Sequence, residues 1–134
     1  MNARAILFLG SALLATGVLA SDRYEQKADE LARFERYAGE PVREIRNFKL
    51  TNSEVLSPTR IAVWGRPGEV YLFSLSPPCT ELEWGRAIGL KTNLGVVRAN
   101  SDYVLARSQY CWIETIQKVD ERAVMADRRA ASRD

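Results

Sequence analysis

Residues 60–75 read R-I-A-V-W-G-R-P-G-E-V-Y-L-F-S-L, and this stretch decides the fold. Two runs of β-branched and aromatic residues flank turn formers at positions 65–68, a pattern that predicts a β-hairpin. A four-residue loop would place Val63 opposite Val70 and leave apolar side chains on both faces. The pattern fits a hairpin buried on both faces, or one buried on a single face with an aromatic surface on the other.

An amphipathic helix is predicted upstream of the hairpin, over residues 22–38. Its apolar residues recur at steps of three and four, the helical period; they are Tyr24, Ala28, Leu31, Phe34 and Ala38. Gly39 and Pro41 supply the stop. We expect the helix to lay its apolar stripe on the domain; the alternative is a solvated arm that packs only on a partner. A weak strand is predicted near residues 43–50.

Downstream of the hairpin, a short middle helix is predicted from Thr80 to about Ile88, with Thr80 and Glu83 forming a capping box. Strand-like runs separated by turn formers follow at residues 95–99, 103–107 and 111–118. The predicted fold class is therefore α+β: a small, mostly antiparallel β-sheet with an N-terminal helix, a short middle helix and one disulfide.

The first twenty residues have the composition of a cleavable signal peptide. One cation, Arg4, precedes a weakly apolar run, and no acidic residue occurs before Asp22. Small residues at Val18 and Ala20 place the predicted cut between Ala20 and Ser21. The alternative is an uncleaved membrane anchor, although the run is shorter and richer in small residues than the roughly 20-residue helix that spans a bilayer.

Cleavage after residues 1–20 would leave one α+β domain over residues 21–118 and a charged tail over residues 119–134. For the tail, a disordered chain and a frayed helix are both open. The expected product is exported, periplasmic or secreted, and keeps no stable membrane span. No Cys stands near the cut, so lipid anchoring through an N-terminal Cys is excluded.

The charge and the composition of the chain argue against several classes of partner and of catalytic chemistry. Of 19 Lys and Arg residues only Arg4 lies in the leader, so the remainder is nearly balanced against 17 Asp and Glu. A near-neutral surface argues against nucleic acid as a partner. The chain contains no His, which removes imidazole acid–base chemistry, His-activated nucleophiles and His-based metal sites. No cofactor and no metal site is predicted.

The two cysteines, Cys79 and Cys111, both lie beyond the leader. Export places thiols where they are usually oxidised, so we interpret the two residues as a disulfide. Two free buried thiols remain an alternative. A redox pair is a weaker one, because the spacing is unlike C-x-x-C.

Two carboxylates, Glu81 and Asp102, are the candidates for general acid and base in a histidine-free hydrolase, since both lie at the ends of predicted elements. The simpler interpretation is structural: an Asp in an Asn-Ser-Asp turn bonds its own backbone, and a Glu at a helix start complements the helix dipole. No S-x-x-K pattern suggests a Ser-Lys dyad.

Four aromatic residues are the candidates for a binding patch: Trp64, Tyr71, Phe73 and Trp84. The competing interpretation, which we favour, is that neighbouring helices cover them as core, because a small domain must spend most of its large side chains on its own stability.

The succession from Ala62 to Ile116 resembles a family of small bacterial secreted or periplasmic proteins that is known only as a domain of unknown function. The matching motifs are A-V-W-G-R-P-G-E-V-Y-L-F at 62–73, S-P-P-C at 76–79, A-I-G-L at 87–90, D-Y-V-L at 102–105 and C-W-I-E-T-I at 111–116. The resemblance implies export, a compact domain with strands and pairing of Cys79 with Cys111. It implies no activity.

The functional expectation is therefore a non-catalytic exported domain that binds a partner or contributes structurally. The partner would be a protein or small molecule of the cell envelope, which the sequence does not identify. The alternative is the hydrolase built on a carboxylate pair.

Overall fold

A computed structural model of the chain describes Gly10, residues 18–82 and residues 87–133. Its two helices and nine strands follow one another along the chain as α1 Val18–Arg36, β1 Ala38–Val42, β2 Glu44–Ile45, β3 Asn52–Ser57, β4 Arg60–Trp64, β5 Val70–Leu75, β6 Gly89–Leu90, β7 Val97–Arg98, β8 Tyr103–Ala106, β9 Gln109–Val119 and α2 Glu121–Ala131. The α+β class, the N-terminal helix, the mostly antiparallel sheet and the disulfide are thereby confirmed.

The long strand β9 organises the main sheet. Seven strands run in the order β3-β4-β5-β9-β8-β6, with β1 also paired to β9, and β2 and β7 form a separate antiparallel pair. Along its C-terminal half β9 pairs with both β5 and β1, and along its N-terminal half it pairs with β8. One strand therefore joins every part of the main sheet.

The β4–β5 hairpin is present, but its register is one residue away from the expected one. Trp64 lies opposite Val70 and Val63 opposite Tyr71, so the loop between the strands holds five residues. The N–H of Gly65 donates to the carbonyl of Glu69, and a tight turn closes inside this pair with Gly68 at φ 82°. A positive φ at the third turn position is the conformation that Gly adopts without strain.

Both faces of the hairpin are buried, as the first of the two sequence interpretations required. One face carries Ile61, Val63 and Phe73 into a core cluster that includes the disulfide. The opposite face carries Ala62 and Leu72 into a second cluster beneath the helices. Each Å² of apolar surface that these two layers bury stabilises the fold by about 25 cal/mol.

Helix α1 packs on the domain. Phe34 is fully buried against the helix-covered face of the sheet, and Leu31 lies half-buried beside it. The helix ends at Arg36, three residues before Gly39, because the carbonyl of Tyr37 already accepts a bond from the N–H of Asp120. The chain therefore leaves α1 as a strand on β9.

The leader predicted at residues 1–20 falls mostly outside the described residues. Helix α1 begins at Val18 and so runs through the position of the predicted cut. None of the helices in the part of the chain that the structure describes combines the length and hydropathy needed to cross a bilayer.

The charged tail forms helix α2 instead of a disordered chain. The carboxylate of Asp120 accepts from the N–H of Ala123 and caps the helix, an interaction worth about 1 kcal/mol. Val124 is buried in the core under the helices. A single buried apolar residue produces no helical period in the sequence, so a packed helix was not predicted here.

Three further differences separate the structure from the sequence prediction. Residues 83–86 of the predicted middle helix lie outside the described residues, Thr80 and Glu81 form a turn, and 87–88 are irregular. The weak strand near 43–50 is replaced by the short β2 and an irregular segment. Strand β3 was missed, because its polar positions at the sheet edge hide the alternation.

Candidate functional site

The aromatic residues proposed from the sequence do not form one surface. Phe73 is fully buried and Tyr71 nearly so, on the face of the sheet that includes the disulfide. Trp64 lies on the opposite face, where its ring meets Phe34 edge-on at 6.0 Å between centroids. Trp84 lies outside the described residues. The three described rings are thus packing elements on two sides of one sheet, which is the arrangement that the favoured core interpretation describes and not a single patch.

The two carboxylates proposed as acid and base lie apart and serve turns. Oδ2 of Asp102 accepts from the backbone N–H of Arg98 at 2.7 Å. Oε2 of Glu81 accepts from both the N–H and the hydroxyl of Ser108. Asp102 precedes β8 and Ser108 follows it, so about 13 Å of strand separates the two sites. Carboxylate pairs that hydrolyse glycosides stand closer, at roughly 5–9 Å.

The disulfide sets the direction of the side chains on β9. Sγ of Cys79 bonds Sγ of Cys111 with the Cα atoms 5.6 Å apart, and both residues are buried. Since neighbouring residues of a strand point to opposite faces, an inward Cys111 obliges Tyr110 and Trp112 to point outward. Their exposed fractions, 58% and 48%, agree with this alternation.

Tyr103, Tyr110 and Trp112 together form a surface that we call the outer aromatic face. Tyr103 on β8 lies directly opposite Trp112 on β9, and the next outward position on β8, Leu105, lies opposite Tyr110. Strand β6 continues both rows, with Gly89 opposite Leu105 and the N–H of Lys91 bonded to the carbonyl of Tyr103. The face is thus two rows of side chains across three strands.

The ring of Tyr103 contacts the other two rings and joins them into one cluster. The centroids of Tyr103 and Tyr110 are 4.6 Å apart with their planes at 46°. Tyr103 and Trp112 are 5.3 Å apart and nearly perpendicular, at 76°. Such pairs contribute about 0.5–1.5 kcal/mol beyond the burial of their area. Rings that support one another lose little further freedom when a ligand arrives.

Charged groups of both signs border the outer aromatic face. Nζ of Lys91 lies 5.4 Å from the centroid of Tyr103, a cation–π contact. Glu114, the next outward residue after Trp112 on β9, accepts a hydrogen bond from the hydroxyl of Ser76 at 2.9 Å. Among the described residues, Lys91 thus offers a hydrogen-bond donor and Glu114 an acceptor beside the rings.

Gly89 allows β6 to pack closely on β8 in the second row. A side chain there would meet Cβ of Leu105 at 3.3 Å, so the close approach of the two strands depends on Gly. Leu105 is half-buried, and Tyr110 lies opposite it on β9.

A cleft of about 910 Å³ lies on another side of the molecule, between the end of β9 and α2. The ionisable groups in its wall are Lys118, Arg122 and Arg129 against Asp120 and Glu121. Their charges nearly cancel, and one of the acids caps α2. Within residues 18–82 and 87–133, no group of three Cys, Asp or Glu side chains is placed to hold a metal ion.

Tyr71 and Glu44, which lie outside these surfaces, have shifted pKa values. Burial, reinforced by the neighbouring carboxylate of Glu69, raises the pKa of Tyr71 above its ordinary value of 10.0. Hydrogen bonds and attraction from Arg46, with a smaller contribution from Arg98, lower the pKa of Glu44. Glu44 thereby links the β2–β7 pair through Nε of Arg98 at 3.1 Å.

Fold and surface together define a disulfide-braced α+β domain whose exposed aromatic residues lie on a sheet face and not in a pocket. The whole chain, residues 1–134, matches the model of a family of unknown function, DUF6491, and belongs to that family. The searches of curated proteins and of solved structures gave no match. The resemblance to a family without assigned function, and the pairing of Cys79 with Cys111, are confirmed.

Sequence reasoning missed the outer aromatic face, although a signal for it was present. The run Y-C-W-I-E at 110–114 alternates, and the disulfide assignment of Cys111 already fixed which positions are inward. Tyr103, Tyr110 and Trp112 were missed because the strongest strand signal in the sequence, and with it the expected aromatic surface, lies in the β4–β5 hairpin. That hairpin is buried on both faces.

Proposed function

We propose that this protein is an exported, non-catalytic binding domain that uses the outer aromatic face to hold its ligand. The observation that carries the proposal is the exposure of Tyr110 and Trp112, 58% and 48%, in a cluster whose third ring, Tyr103, braces them both. Exposed aromatic residues on rigid strands give contact area at low entropic cost, and Trp and Tyr dominate binding energies where they occur.

Export is supported by the leader and by the sulfur chemistry. Residues 1–20 combine an N-terminal cation, an apolar run and small residues before Ser21, which is the composition of a signal peptide. A disulfide buried in the core of a domain this small is the kind of crosslink that oxidising compartments maintain.

The proposal does not include catalysis, because the two candidate carboxylates are already engaged in hydrogen bonds at separate places. Glu81 and Asp102, the nominated acid and base, are each engaged by backbone N–H groups at opposite ends of β8. No observation in the described part of the chain favours a second function.

Export is tested by intact-mass spectrometry of the protein recovered from its native compartment. The expected mass begins at Ser21 and lacks two hydrogens for the disulfide. A protein that retains Met1, with both thiols reactive under native conditions, would contradict export.

Binding is tested by two-dimensional NMR of the purified protein mixed with a solubilised envelope extract. We expect the amide resonances of residues 103–105 and 110–112 to shift. The variant Trp112→Thr should abolish the shifts, whereas the matched control Val42→Thr, an exposed strand position elsewhere, should keep them. Thr is used because it preserves strand propensity. Shifts confined to other surfaces, or none, would exclude the outer aromatic face.

A further inference from the structure

The outer aromatic face is small, and its size narrows the choice of ligand. Three strands about 4.8 Å apart and two rows about 7 Å apart cover roughly 200 Å². A stable protein interface buries about 800 Å² on each partner. The rings by themselves thus offer enough area for a small ligand and too little for a second copy of the chain or another folded protein.

The angles between the rings disfavour a flat ligand. Tyr103 is inclined by 46° to Tyr110 and by 76° to Trp112, so no two rings present parallel faces between which a planar heteroaromatic group can stack. A ligand that lies on the face of one ring therefore also contacts a second, inclined ring with its side. A saturated ring, which is thick and carries C–H groups on its faces and edges, fits this arrangement.

The bordering charges disfavour an ionic ligand. The ammonium of Lys91 lies beside Tyr103, and the carboxylate of Glu114 belongs to the next outward residue after Trp112 along β9. One cation and one anion beside the rings do not make the single-sign field that attracts a polyanion, an anionic membrane or nucleic acid. What they offer is a hydrogen-bond donor and an acceptor, which are the groups that hydroxyls require.

We infer that the ligand is a neutral chain of β-1,4-linked pyranose sugars, an inference that rests on the proposed function of the outer aromatic face. Equatorial substituents leave axial C–H groups on both faces of each sugar ring, and these carry the slight positive charge that the face of an aromatic ring attracts. The hydroxyls at the rim of the sugar have a donor in the ammonium of Lys91 and an acceptor in the carboxylate of Glu114. The exposed ring of Tyr110, two residues before Trp112 on β9, offers a second contact for the next sugar of the chain.

The experiment titrates the purified protein with two β-1,4-linked probes, cellotriose and N,N′,N″-triacetylchitotriose, and with the α-1,4-linked isomer maltotriose as control. NMR follows the amides of residues 103–105 and 110–112 and the indole N–H of Trp112. We expect at least one β-linked probe to bind with a Kd near or below about 1 mM, and maltotriose to bind at least about tenfold more weakly.

Variants test the site itself. Trp112→Thr and Tyr110→Thr should each weaken the β-linked probe about tenfold or more, while Val42→Thr should leave its Kd unchanged. Thermal unfolding of each variant checks that the fold persists. If Trp112→Thr does not fold, the resonance shifts of the unmodified protein still locate the probe.

The possible negative results distinguish a failure of the sugar inference from a failure of the proposed function. If the envelope extract shifts the outer aromatic face but neither β-linked probe does so at about 10 mM, the sugar inference fails and the proposed function stands. If neither extract nor probes shift the face, both fail. Equal binding of maltotriose, association of the chain with itself through these rings, or binding to vesicles of anionic lipid would also overturn the sugar inference.

Discussion

The carboxylate of Glu30 on α1 accepts hydrogen bonds from Nε and Nη2 of Arg128 on α2, so one ion pair joins the two ends of the fold. The same guanidinium lies 5.6 Å from the centroid of the Phe34 ring. Burial lowers the pKa of Arg128, but the group stays charged at any physiological pH. The pair therefore clamps both helices onto the face of the sheet that they cover.

Arg128→Ala should lower the free energy of unfolding by about 2 kcal/mol, because a partly buried, two-pronged charged hydrogen bond is lost and Glu30 is left with Arg33 as its remaining partner. Urea denaturation measures the change. The matched control is Arg129→Ala, an exposed neighbour, which should cost less than about 0.5 kcal/mol. Equal effects of the two variants would show that the clamp contributes nothing specific.

Removal of the disulfide should be costly. The bridge closes a sequence separation of 32 residues, for which the chain-entropy model gives about 3.5–4 kcal/mol as an upper value. The double variant Cys79→Ala/Cys111→Ala is expected to unfold at much lower urea concentration than the oxidised protein. A loss below about 1 kcal/mol would mean that the unfolded chain gains little freedom when the bridge is absent.

The turn at residues 93–96 should tolerate Asn better than its native Leu94. Leu94 is 95% exposed at φ 54°, and Gly95 follows at φ 77°, so both central positions of this two-residue turn have positive φ. Asn adopts this conformation more readily than Leu. Leu94→Asn should therefore raise the free energy of unfolding by roughly 0.5–1 kcal/mol in urea denaturation.

The control at the same position is Leu94→Val. A β-branched side chain is strained at positive φ, so this variant should lower stability. Stabilisation by Val, or destabilisation by Asn, would contradict the assignment of strain to Leu94.

Stability should fall at alkaline pH because of Tyr71. The folded state raises the pKa of this phenol above 10.0, so the folded protein holds the proton more tightly than the unfolded chain does. The contribution is fully present below about pH 10 and is lost as the pH rises through the higher folded pKa. Tyr71→Phe should flatten this part of the stability curve, measured by urea denaturation at stepwise higher pH.

The control for the pH series is Tyr110→Phe, which changes an exposed phenol and should keep the alkaline loss of the native protein. If Tyr71→Phe shows the same loss, the alkaline sensitivity has another origin.

The sequence predicts those features of the fold that depend on local patterns of residues, and it predicts less well those that depend on contacts between distant residues. The β4–β5 hairpin was found because both strands are continuous β-branched and aromatic runs, yet its register slipped by one residue. Register in a short hairpin depends on which residue pair closes the loop, and the bond between Gly65 and Glu69 makes that loop five residues long. A one-residue slip exchanged the faces assigned to Val63 and Ala62 relative to β5.

Elements held by tertiary contacts were harder to predict. Helix α2 has Val124 as its single buried residue, and it is also held by ion pairs to distant segments, such as Asp127 with Arg36 of α1 at 2.6 Å. Ion pairs between distant segments leave no periodic trace in either segment. The outer aromatic face could have been predicted from the sequence. A disulfide-bonded Cys111 must point inward, and this fixes Tyr110 and Trp112 as the outward positions of β9.

Strand β9 pairs with β1, β5 and β8, so segments from well-separated parts of the chain meet on one strand. During folding, the edges of β1 and β5 that face β9 lack a partner until β9 takes its place between them. Contacts between residues far apart in sequence close long loops, and such contacts slow folding. The rate at which this domain folds should therefore depend on the docking of β9.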